Sequence, residues 1–88
     1  MKTKRDHSPD SILEIIRAFV VRARGELPGP LDLDTALLDT GMVDSFDLID
    51  LGTEISTELE IPMLMGNLLP EDFETPRVLW NRIQEISS

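Results

Sequence analysis

Apolar residues recur along this chain at intervals of three and four, not alternately, and they do so in three separated stretches. Ile12, Ile16, Phe19, Val20 and Ala23 form the first stripe. Ser8-Pro9-Asp10 stands just ahead of it, offering a capping hydroxyl, a proline tolerated at the first helical position and an acid suited to the first turn. Arg22, Arg24 and Gly25 supply the stop, so the spacing predicts a helix over residues 9–24. Leu48, Leu51, Gly52, Ile55 and Leu59 form the second stripe, on a helix that opens at Asp44-Ser45 and runs to about Leu59, where Ile61-Pro62 ends it. Thr75-Pro76 opens a third helix whose Leu79, Ile83 and Ile86 share a face flanked by Val78 and Trp80. Just before it, Leu69-Pro70-Glu71-Asp72-Phe73 closes one short helical turn.

The first two helices are separated by Glu26-Leu27-Pro28-Gly29-Pro30, which cannot continue a helix, and then by a long segment. A structureless loop of about eighteen residues is unusual in a small domain. Leu31, Leu33, Leu37, Leu38, Met42 and Val43 predict that this one is packed against the core. Asp32-Leu33-Asp34 resembles the opening of an EF-hand loop, but Ala36 takes a ligand position and Leu37 the turn glycine, which excludes calcium there. Met63 to Leu69 form an apolar connection, with Met42, Met63 and Met65 placed to fill the core beneath the loops. Gly52 within the second stripe implies close approach of another helix. No stretch alternates as a strand would. The expected fold is all-α: three main helices plus one short helix, with a long loop between helices one and two, residues 1–8 forming a flexible tail and residues 9–88 one domain.

At 88 residues the chain supports a single core, and with 41% hydrophobic but only 5% aromatic residues that core is mainly aliphatic. It has no cysteine, which excludes a disulfide framework, a thiolate zinc site and a cysteine nucleophile. The single histidine, His7, falls in the tail, so no serine–histidine pairing is in prospect, and an enzyme is not expected. The formal charge is -9 and unevenly spread: residues 26–74 hold thirteen acids and no base. Such a field repels nucleic acid and anionic membranes, and favours salt-sensitive docking to basic protein partners. A cytoplasmic monomer without membrane insertion is the expectation.

Helix two carries two further arcs. Asp47, Asp50, Glu54 and Glu58 cluster on one, while Phe46, Ile49 and Thr53 lie roughly opposite the core stripe, where no internal partner is apparent. Asp44 is placed to accept the backbone N–H of Phe46 or Asp47 as an N-cap, leaving the Ser45 hydroxyl free to point outward. Unpaired N–H groups and the helix dipole at that end would favour a phosphodiester on the hydroxyl.

The run Leu37-Leu38-Asp39-Thr40-Gly41-Met42-Val43-Asp44-Ser45-Phe46-Asp47-Leu48-Ile49-Asp50-Leu51 resembles the attachment region of acyl carrier proteins and the related peptidyl carrier domains. The order of helices, long loop and short turn resembles that family over almost the whole chain. The resemblance implies that Ser45 receives 4'-phosphopantetheine from coenzyme A, in a magnesium-dependent step carried out by a phosphopantetheinyl transferase. Asp44, adjacent, would assist loading. The chain would hold no resident metal. An acyl or aminoacyl group would ride on the arm as a thioester, supplied by a loading ligase and passed to synthases or transferases of fatty acid, polyketide or nonribosomal peptide biosynthesis. Phe46, Asp47, Ile49, Asp50 and Glu54 match the positions where carrier proteins meet partner enzymes with basic docking patches. Phe46 stands where leucine or methionine is more usual in the family, and the cargo is left open. The alternative is an unmodified acidic helical adaptor that binds basic partners through the same surface.

Overall fold

In the computed structural model, which describes residues 8–61 and 67–87, Ser8 begins the first helix in the way its chemistry dictates. Its extended backbone lets the hydroxyl accept the Ser11 N–H at 3.3 Å, and α1 runs Pro9–Arg24. Gly25 ends the helix in the left-handed region at φ 89°, returning its N–H to the Val21 carbonyl at 2.8 Å. Then follow α2 (Asp47–Leu59), a 3₁₀ turn (Pro70–Phe73) and α3 (Pro76–Ser87), with the Thr75 hydroxyl capping α3 by accepting the Val78 N–H at 3.1 Å. Among the described residues there is no strand. Of the expected tail at residues 1–8, only Ser8 is among the described residues, and it is fixed as the cap of α1; Met63 and Met65 of the Met63-to-Leu69 connection lie outside the described residues.

The first helix is the shared wall of the bundle, packing against both α2 and α3, while the 3₁₀ turn packs on α3. The core joins Ile12, Ile15, Ile16, Phe19 and Val20 of α1 to Leu48, Leu51, Ile55 and Leu59 of α2 and Leu79 and Ile83 of α3. Ile15 replaces Ala23 in the expected stripe. At the last turn of α1 the face that continues the stripe opens onto a polar groove, and Ala23 is exposed there.

The long loop is packed, as its leucines require. Leu37, Met42 and Val43 are buried, and Leu27, Leu31 and Leu38 lean on the core. Burial of irregular backbone demands hydrogen-bond partners, and the chain supplies them across the fold. The Leu37 N–H donates to the Glu74 carbonyl at 3.0 Å, the Arg77 N–H to the Leu33 carbonyl at 2.9 Å, and the Val43 N–H to the Leu37 carbonyl at 3.1 Å. Outside these, Arg77 grips Asp34 with Nε and Nη2 at 2.9 and 3.2 Å.

That hydrogen bond and the guanidinium charge hold the Asp34 carboxyl below its ordinary value, although both side chains are exposed. A carboxyl with a lowered folded-state value contributes stability above the ordinary carboxylate range and loses it as the pH falls through the lowered value. Wild type is therefore expected to exceed Asp34→Asn in stability at about pH 7, with the gap narrowing as the pH falls through that lowered value, in urea titrations across the acid range. A gap independent of pH would show that the charge is not what Arg77 reads.

Gly52 faces the Phe73 ring of the 3₁₀ turn, not another α-helix, and the approach is not tight. A Cβ built there would lie 3.7 Å from the Phe73 Cζ and 3.9 Å from the Leu68 Cδ1, which is ordinary contact. Gly52→Ala is accordingly expected to raise stability by about 1 kcal/mol through helix propensity alone. A lowered thermal midpoint would show that the ring needs the bare glycine.

Candidate functional site

The entrance to α2 is built by two aspartates that cap each other. Asp44 Oδ1 accepts the N–H groups of Phe46 at 2.9 Å and Asp47 at 3.1 Å, and Asp47 Oδ2 accepts the Asp44 N–H at 3.0 Å. This is a reciprocal box made with two acids three residues apart. Its first turn is closed by the Asp47 N–H on the Asp44 carbonyl at 3.0 Å, an i to i+3 bond, so regular α2 starts at Asp47 and not at Ser45. Asp44 accepts the two N–H groups the sequence assigns to it, but it closes the turn ahead of α2, whose own N-cap is Phe46. The expectation of unpaired N–H groups fares differently: those of Phe46 and Asp47 are both taken by Asp44, because a carboxylate two residues away is a ready acceptor.

Ser45 sits on this turn, exposed, and its hydroxyl forms no hydrogen bond among the described residues. Beside it Phe46 is 89% and Ile49 77% exposed, the two largest exposures among the large hydrophobic side chains of the described residues. Their arc therefore faces solvent, as its opposition to the core stripe predicts. Phe46 does not fold back onto the loop.

The acidic arc is organised differently from its expected role as a free docking face. Asp47 is half-buried and takes the Arg24 Nη2 at 2.7 Å, and Glu54 takes the Arg22 Nη2 at 3.1 Å. Arg22 also lies over the Phe19 ring, 5.7 Å from its centre. Phe19, Arg22, Asp47, Asp50 and Glu54 line an open groove of about 380 Å³ between α1 and α2. Asp50 is exposed and makes no ion pair among the described residues. Of the three acids assigned to docking, two already have a cation from the same chain.

Both arginines escaped the sequence reading, which used them only to end α1. The available signal was their charge, two basic residues in the last turn of the helix preceding a base-free block. What brings them onto α2 is the packing of α1 against it, which no local pattern encodes.

Among the described residues no group of acids or histidines is arranged to hold a metal ion, and Asp34 is engaged with Arg77. No helix among them is long and apolar enough to cross a membrane. No protein-family model, curated protein or solved structure matches the chain.

Proposed function

We propose that this chain is a carrier protein, holding an acyl or aminoacyl group as a thioester on a 4'-phosphopantetheine arm esterified to Ser45 and presenting it to partner enzymes of lipid or secondary-metabolite biosynthesis. The observation that carries the reading is the Ser45 hydroxyl: exposed, unbonded, and standing on a turn clamped from both ends by Asp44 and Asp47. A hydroxyl committed to capping would be a poor acceptor of a phosphodiester, and here Asp44 takes the capping duty instead. Attachment to an exposed oxygen needs no cavity, so the residues present fit the group. The arm would supply the thiol that a chain without cysteine lacks.

Several residues suit the partner side of that role. Phe46 and Ile49 give transferases, ligases and synthases an apolar foothold next to the attachment point, and Asp50 gives a basic patch one free carboxylate. Exposed ion pairs contribute about 0 to 1 kcal/mol each, so docking is weak and reversible, as a carrier visiting several enzymes requires. With Asp47 and Glu54 paired internally, the apolar pair carries more of the contact than the charge of the chain suggests.

The test is intact-mass measurement after incubation with coenzyme A, magnesium and a broad-specificity phosphopantetheinyl transferase. One phosphopantetheine per chain is the expected gain. An unchanged mass, beside a control carrier modified in the same mixture, overturns the carrier role in favour of the unmodified adaptor.

A further inference from the structure

Arg24, in the last turn of α1, reaches across to the turn bearing Ser45. Arg24 Nε donates to the Met42 carbonyl at 3.2 Å, its Nη2 donates to Asp47 Oδ2 at 2.7 Å, and the same nitrogen lies 3.7 Å from Asp44 Oδ2. Met42, Asp44 and Asp47 bracket Ser45 on both sides. The Asp47 oxygen that Arg24 holds is also the one that accepts the Asp44 N–H, so the guanidinium secures the reciprocal cap through its own acceptor. Without a cation there, two carboxylates three residues apart would repel across the turn they are meant to close.

We infer that Arg24 is the positioning residue for modification of Ser45: it holds residues 42–47 in the one arrangement that offers the hydroxyl to a transferase. This rests on the carrier reading. Loading forms an oxygen–phosphorus bond at Ser45 and breaks the diphosphate of coenzyme A, releasing adenosine 3',5'-bisphosphate, with the hydroxyl proton passing to a base of the transferase. Arg24 touches none of the reacting atoms; it acts through Asp47, Asp44 and the Met42 carbonyl. A planar fork suits this task, since it reaches a carbonyl and a carboxylate from fixed directions, which an ammonium on a flexible stem does not reproduce.

The experiment compares wild type, Arg24→Gln, Arg24→Lys, Asp47→Asn and the Arg24→Gln/Asp47→Asn pair, following loading by mass and backbone amide exchange by NMR. Arg24→Gln is expected to lower kcat for loading about tenfold with KM for the chain little changed, as loss of alignment does. Exchange at the Phe46 and Asp47 amides is expected to quicken while the Leu51 and Ile55 amides keep their protection. Arg24→Lys falls between wild type and Arg24→Gln, and the double variant loads no worse than Arg24→Gln, because both changes break one linkage. Loading of Arg24→Gln at the wild-type rate overturns the inference, as does faster exchange spread evenly over α1 and α2, the mark of a role in stability alone. Should Arg24→Gln not fold, Asp47→Asn decides, with normal loading again overturning it. No loading of wild type, beside a modified control carrier, overturns the carrier reading itself.

Discussion

Ser45→Ala is expected to keep its unmodified mass under conditions in which the wild-type chain gains one phosphopantetheine. Position and bonding single the residue out. On the same helix the Thr53 hydroxyl donates to the Ile49 carbonyl at 2.9 Å, and the buried Ser56 hydroxyl donates to the Ile61 carbonyl at 2.9 Å, so each is spent on the backbone. The Ser45 oxygen is not, and it lies beside the most exposed aromatic ring of the described residues. Its replacement removes no described hydrogen bond and no buried surface, so stability is expected to change by less than about 0.5 kcal/mol. Loss of loading in a normally folded variant separates chemistry from folding. A Ser45→Ala chain that still gains the mass would place attachment at another hydroxyl.

The largest loss of stability outside the helices is expected at Leu37. Leu37→Ala should cost about 2 to 5 kcal/mol, the range for deleting a fully buried leucine whose surroundings cannot collapse. The site is held from several directions: the Leu37 N–H by the Glu74 carbonyl, the Leu37 carbonyl by the Val43 N–H at 3.1 Å. Those bonds fix the backbone, so the cavity left by the side chain stays open. In a domain of this size such a loss approaches the whole of the folding free energy. Urea titration measures it directly. A cost below about 1 kcal/mol would mean that the loop lies on the bundle without being part of it.

Much of this fold was legible because the deciding interactions are local. Ser8-Pro9 and Thr75-Pro76 start helices by hydroxyls that reach N–H groups three residues on, and Gly25 stops one because it adopts a left-handed backbone at no steric cost. The exposure of Phe46 and Ile49 was legible too, since a residue opposite a core stripe has nowhere else to point. Asp44 was readable as a cap, and with it the freedom of Ser45, because the acceptor and the N–H groups it takes lie within three residues of one another.

The charge pattern shows where such reading stops. Residues 26–74 contain no base, and from that fact alone the acidic arc of α2 stands free. Folding brings Arg22 to Glu54, Arg24 to Asp47 and Arg77 to Asp34, pairs 32, 23 and 43 residues apart, so cations from outside the block settle onto its acids. Caps and stripes depend on chain geometry over a few residues and are written into their neighbours. Which carboxylates remain free for a partner depends on which helices touch, and that follows from packing of the whole core, a property no segment of the chain carries alone.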